Sequence, residues 1–323
     1  MATTATFDTY RAVGIREDLT DVIYNISPSD TPFVSNVGSG SSKGTYHEWQ
    51  QDSLADPVDG AVPEGADASA AVLNPTVRLG NFCQINQKTF VISGSDMVAD
   101  NAGRGVEMAY QEAKKGLELR KDIEYVCVNV NKIGSVGAGN NPGAATARNA
   151  GTVQSWISTN TSFDATSGVM PTNMGQSGWT TRVVSSADRA FTEDLLTDVI
   201  DAIYLAGGNP DTLMANTVQK RIISQTFTGS ADSRQIMVPD KRVINAVDFY
   251  ESDYGVLSIV PNRYMPQDSV YVLDTDMWEV AYYRPFFTEE LAKTGDNEKK
   301  QMVVEWTLVC KEEASGGAIY DLT

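Results

Sequence analysis

Apolar side chains recur every three or four residues from Arg104 to about Lys132, at Val106, Ala109/Tyr110, Ala113, Leu117, Ile123, Val126/Cys127 and Val130, with one slip at Arg120. That spacing predicts an amphipathic helix. Gly103 and Gly105 precede it and Gly134 stops it. At about 1.5 Å per residue it runs roughly 40 Å, well beyond the usual helix of about 11–12 residues. Lys114–Glu118 and Arg120–Glu124 are spaced i,i+4, as outer-face ion pairs would be.

The period changes to two before this helix. Thr45–Gln51 and Val77–Ser93 read as an outgoing and a returning strand, the second carrying Val77, Leu79, Cys83, Ile85 and Val91 on one face. Between them lies a long acidic tip. An isolated hairpin is marginal in water, so this one is expected to lie along a partner. Residues 1–44 read as an arm. Glu17–Tyr24 is a short helix, Asp30-Thr31-Pro32-Phe33 is a turn in which proline blocks helix and central strand, and Gly38–Gly44 is a flexible joint. The Ile, Tyr and Phe side chains of the arm must pack on something else.

A Gly-, Asn-, Ser- and Thr-rich tract, anchored by Trp156-Ile157 and Trp179, follows the long helix to about Ser186. A small α/β module comes next: helix Thr192–Ala206, strand Thr212–Ala215, helix Thr217–Phe227 capped at Asn216, and strands Val243–Tyr250 and Val256–Val260. Strands Val270–Asp274, Glu279–Tyr283 and Met302–Cys310 then follow, with Gly316–Leu322 as an edge strand. The class is α+β, one module nested in another.

Composition narrows the function. The 323 residues carry 25 basic and 42 acidic side chains, a net charge of −17. Such a surface disfavours direct nucleic-acid binding and anionic membranes. Cys83, Cys127 and Cys310 are far apart and sit in apolar stretches, as buried free thiols do. No signal peptide or membrane span is read. The single histidine, His47, sits on an extended strand, a poor pocket for a triad. No phosphate loop is found; Gly134-x-x-Gly137-x-Gly139 follows a helix instead of opening one. Asp274-Thr275-Asp276 lacks the rest of a calcium loop. No catalytic, metal or cofactor-binding residue is assigned, and the chain is not read as an enzyme.

Four motifs in register carry a family resemblance: Arg16-Glu17-Asp18-Leu19 … Ser27-Pro28 … Asp30-Thr31-Pro32-Phe33; Gly103-Arg104 … Tyr110-Gln111 … Leu117–Glu124; Ala150-Gly151 … Trp156-Ile157; and Phe191-Thr192-Glu193 … Ala206–Asp211. Over nearly its whole length the chain resembles tailed-bacteriophage major capsid proteins with the Hong Kong 97-type fold. The resemblance implies an N-arm (1–44), an extended loop over a neighbouring subunit (45–93), a peripheral domain (94–190 and 271–323) with a spine helix at 104–132, and an axial domain (191–270). It also implies hexamers and pentamers in a shell, a portal protein, a separate scaffolding protein or none, cement proteins where the shell uses them, and genome DNA enclosed without specific binding. Subunit contacts are then expected at Arg16, Leu19, Ile23, Phe33, Tyr46, Trp49, Asp59, Glu64, Asp67 and Arg78. Some relatives crosslink through a loop lysine, whereas no lysine lies between Lys43 and Lys88 here. An encapsulin-type nanocompartment, distinguished by cargo binding, and a tail or decoration protein remain as alternatives. An acidic hydrolase would need two converging carboxylates in a pocket.

Overall fold

The computed structural model describes residues 27–67, 73–99, 105–136, 147–185, 187–229 and 247–323. The helices are α1 (Pro32–Asn36), α2 (Gly94–Val98), α3 (Glu107–Asn129), α4 (Val153–Trp156), α5 (Glu193–Leu205) and α6 (Thr217–Gly229). The strands are β1 (Gly38–Ser41), β2 (Tyr46–Gln51), β3 (Val77–Phe82), β4 (Gln84–Ser93), β5 (Ser135–Val136), β6 (Arg148–Asn149), β7 (Thr161–Ser162), β8 (Thr212–Ala215), β9 (Phe249–Ser252), β10 (Gly255–Pro261), β11 (Val270–Leu273), β12 (Trp278–Leu291), β13 (Asn297–Cys310) and β14 (Gly317–Ile319). Two sheets dominate, ordered β1-β12-β13-β4 and β7-β14-β11-β8-β10-β9.

α3 lies on the first sheet. Its Leu119, Ile123 and Cys127, one turn apart, are buried with Met302, Val304, Trp306, Leu308 and Cys310, the alternating face read for β13. Each such side chain contributes about 1.5–3 kcal/mol by leaving water. The slip at Arg120 marks a change of face. Leu117, expected inside, is 50% exposed, and Tyr125 is 47% exposed. Neither expected i,i+4 pair forms. Glu118 instead takes Lys115 at 2.8 Å, and Glu124 turns into the core.

The returning strand breaks at Cys83. β3 pairs with β2, while β4 runs antiparallel to β13 over ten residue pairs. The hairpin's partner along 84–93 is therefore the chain's own sheet, and an intermolecular partner is not needed there. The break also shifts the phase: Phe90 and Ile92 are buried, and Ile85 and Val91 face solvent. Two readings of the arm change as well. Pro32 opens α1, because proline at the first helical position gives up no hydrogen bond. Gly38–Ser41 is a strand parallel to β12, and a Cβ at Gly40 would fall 1.4 Å from Glu279 Oε1.

The second sheet serves two cores. One face (Leu213, Leu257, Ile259, Val270, Val272, Ile319) packs on Leu196, Val199, Ile200 and Ile203 of α5 and Ile223 of α6. The other face (Met214, Tyr271, Leu273, Ala318, Tyr320) joins the core under α3. The sheet thus extends beyond 191–270 by taking in β7, β11 and β14, and β14 sits inside it, not at its edge. Arg182, buried, secures this seam. It pairs with Asp321 and Asp268 at 3.3 Å each and lies 4.0 Å above the Tyr320 ring.

Candidate assembly surface

The base of the β2–β3 hairpin is held by the chain's own body. Trp49 lies 5.4 Å from Trp156, which lies 4.6 Å from Trp179, so three indoles lead from the hairpin into the core. Trp179 Nε1 donates to the Ser155 carbonyl at 2.9 Å. The Tyr46 ring sits 4.5 Å from Phe82 and over Gly80, where any Cβ would come 2.5 Å from it. Gly80 N donates to the Gly175 carbonyl at 2.9 Å. Asn81, wholly buried, donates to the carbonyls of Leu308 (2.7 Å) and Gly151 (3.2 Å) and accepts from Gly151 N (2.8 Å). It caps β13 beyond the point where β4 leaves it. Arg78 pairs with Glu48 on the hairpin itself.

Beyond that base the chain is bare. Residues 53–67 are all exposed, Leu54 at 98% and Val58 at 84%, and Leu73 on the return is 89% exposed. Asp56, Asp59, Glu64 and Asp67 line this loop, and none pairs with a cation among the described residues. Apolar side chains held out in water with no cover are a cost to the isolated chain.

The arm is fixed by one carboxylate. Glu124 of α3 accepts from Phe33 N at 2.9 Å, Val34 N at 2.8 Å and Asn262 Nδ2 at 2.5 Å. The first two donors are free amides at the N-terminal end of α1. Burial pushes the Glu124 carboxyl above the usual range, opposed by these three hydrogen bonds. Phe33 is wholly buried, edge-on to Trp278 at 6.2 Å.

The expected contact residues therefore divide. Phe33 packs on its own chain and is not available to a neighbour; Trp49 is half-buried against its own chain. Tyr46 and Arg78 serve the hairpin, Asp59, Glu64 and Asp67 face solvent, and Arg16, Leu19 and Ile23 lie outside the described residues. The bare apolar positions Leu54, Val58 and Leu73 were missed, although leucine and valine between acids in a long loop were a visible signal. Glu124 was missed because i,i+4 spacing placed it outside.

Nothing among the described residues forms a reactive constellation. His47 stands opposite Asn81 and beside Trp49. No group of three or more His, Cys, Asp or Glu side chains among them could hold a metal ion. The three cysteines are buried, and burial raises the Cys127 and Cys310 thiols. No described helix is long and apolar enough to cross a membrane.

Comparison with known proteins agrees with this picture. The family model of the SU10 major capsid protein matches residues 2–323. The major capsid protein of Escherichia phage Phieco32 is 28% identical, covering 99% of this chain and 98% of its own length. Among solved structures, the cyanophage A-1(L) capsid asymmetric unit superposes with a TM-score of 0.68 at 13% identity. The capsid of a native GTA particle does so with 0.66 at 9% identity. Each covers 98% of both chains. At such identities the likeness shows the fold, which is the α+β fold of Hong Kong 97-type capsids.

Proposed function

The chain belongs to the SU10 major capsid protein family, and on that premise we propose that it self-assembles into the icosahedral head shell around a phage double-stranded DNA genome. Hexamers and pentamers are the building units, with residues 45–93 as the extended loop, α3 as the spine helix, the α5–α6 module as the axial domain and the remainder as the peripheral domain. The role is structural, not enzymatic. A portal protein occupies one vertex, scaffolding or cement proteins are separate chains, and assembly takes place in the host cytoplasm.

The observation that carries the reading is the bare loop. Leu54, Val58 and Leu73 bury nothing in their own chain, and a neighbouring subunit gives them cover. The net charge of −17 suits a container that encloses DNA without gripping it. Electron microscopy and sedimentation of the expressed protein test this. Closed shells are expected; a stable, folded monomer at micromolar concentration, with the loop protected from protease, overturns the reading.

A further inference from the structure

The bare loop also holds a dipeptide with a reactivity of its own. Asp-Gly occurs once in the chain, at Asp59-Gly60, and Asn-Gly does not occur. Both residues are exposed and lie outside helix and strand. The Gly60 amide donates to no acceptor among the described residues; the backbone bond found within 53–67 runs from Ala66 N to the Pro63 carbonyl, at 3.1 Å. The Asp59 carboxylate holds no cation among the described residues. A Cβ built on Gly60 meets nothing within 4 Å, and Gly60 does not take the left-handed backbone that favours glycine.

We propose that Asp59-Gly60 is a site of spontaneous backbone isomerisation, at which the exposed Gly60 amide closes on the Asp59 side chain and aspartate becomes isoaspartate. The step needs no second subunit and no reagent but water. Gly60 N bonds to Asp59 Cγ, and the carboxyl hydroxyl leaves with the amide proton as water. A five-membered succinimide remains, which water then opens. Breaking the bond from N to Cγ restores aspartate. Breaking the bond from N to the main-chain carbonyl carbon routes the backbone through Cβ and Cγ. The loop is then one backbone atom longer, with its carboxylate directly on Cα. Closure requires Asp59 to leave both helical and extended backbone values, and no ladder opposes that here. A side chain on the next residue would crowd the attacking nitrogen; glycine has none and has the widest backbone freedom. Other acids in the chain lack these conditions. At Asp268-Ser269 the carbonyl of Asp268 accepts from Leu322 N at 3.0 Å, its carboxylate holds Arg182 at 3.3 Å, and Ser269 is wholly buried. At Asp52-Ser53 the Ser53 amide donates to Asp52 Oδ1 at 3.0 Å, which aims its hydrogen at an ionised oxygen, and Ser53 carries a Cβ.

Ageing the unassembled full-length chain in mildly acidic buffer, followed by trypsin and mass spectrometry, tests this. Trypsin releases 44–78 as one peptide, because no lysine or arginine lies between Lys43 and Arg78. With time that peptide is expected to split into two peaks of equal mass, with a transient species lighter by one water. Fragment ions are expected to place the change at Asp59. Raising the pH slows the splitting, since an ionised carboxylate does not release its oxygen as water. Gly60→Val, for which the surroundings leave room, suppresses the splitting and leaves the denaturant midpoint unchanged. Asp59→Asn accelerates the change, and there raising the pH accelerates it further, because ammonia leaves in place of water and the amide nitrogen attacks as its anion. A wild-type peptide that stays single overturns the assignment, as does a change placed at another acid instead, Asp52 included. Undiminished splitting in Gly60→Val overturns it too. So does an Asp59→Asn chain that does not change, which would mean that the loop holds the Gly60 nitrogen away from the side chain.

Discussion

Replacing Glu124 by alanine removes the side-chain acceptor of Phe33 N and Val34 N and leaves Asn262 Nδ2 only the weak Met214 Sδ acceptor at 3.3 Å. Phe33 N and Val34 N are fixed by α1, so neither can turn away, and Asn262 Nδ2 loses its 2.5 Å contact. Each buried donor left without a partner costs about 1–3 kcal/mol. The carboxylate carries a desolvation penalty of its own, visible in its raised pKa, and alanine relieves it. Water reaching the vacated space serves one donor. The expected net loss is about 2–4 kcal/mol, a large part of the roughly 5–15 kcal/mol that holds a domain. The denaturant midpoint of the unassembled chain reads it, and amide exchange locates it: Phe33 N and Val34 N exchange faster while the amides of α5 do not. A loss below about 0.5 kcal/mol, a value typical of surface changes, refutes the anchor. So does unchanged exchange at Phe33 and Val34. The sign with pH is fixed too. Because the folded carboxyl holds its proton to higher pH than the unfolded one, Glu124 subtracts stability as pH rises from its ordinary value of about 4.3 through the raised folded value. Glu124→Gln flattens that part of the stability–pH curve.

Leu119→Ala is expected to cost about 2–5 kcal/mol, and Leu117→Ala to stay within about 0.5 kcal/mol; denaturant midpoints of unassembled chains separate the two faces of α3. Gly151→Val places a Cβ 2.1 Å from the Trp179 ring, so indole fluorescence is expected to shift toward that of exposed tryptophan as the ladder opens. Glu305→Ala leaves Arg148 and Arg284 without their shared carboxylate. Both arginines can reach water, so the loss is about 1–3 kcal/mol, measured by thermal unfolding, and Glu305→Gln loses less. Boiling assembled shells in reducing detergent is expected to release a single band near 35 kDa, because no lysine lies between Lys43 and Lys88 to form a loop crosslink; a surviving ladder contradicts this.

Long, strongly patterned segments were legible before the structure. The alternation from Met302 to Cys310 lies where its pattern put it, and so does the second half of the long helix, with Ile123 and Cys127 buried, while the first half turns Val106 and Leu117 to solvent. What failed were positions where a local rule met a partner from far along the chain. Gly38–Ser41 has the composition of a linker, but its glycines allow it to lie against Glu279 as a strand. Glu124 has the spacing of a surface pair, yet donors 90 residues away take it inside. The period-two run through Cys83 gave no sign that the strand changes partners there, since each half alternates correctly and only the phase slips. The loop's acids were expected as subunit contacts and face solvent in the single chain; its exposed apolar residues Leu54, Val58 and Leu73 were passed over.

The C-terminal segment governs when this protein can exist at all. Ala318 and Tyr320 belong to the core under α3, Ile319 and Leu322 to the core under α5, and β14 bridges β7 to β11. A ribosome adding about 5–20 residues per second needs roughly 15–60 s to travel from Phe33 to Leu322. Through that interval the long helix and the α5–α6 module each lack the strand that closes them. Neither can present a finished surface to another subunit. Until then the apolar faces that Ala318, Ile319, Tyr320 and Leu322 cover stay open, so an unfinished chain carries the exposed surface and unpaired strand edges that favour aggregation.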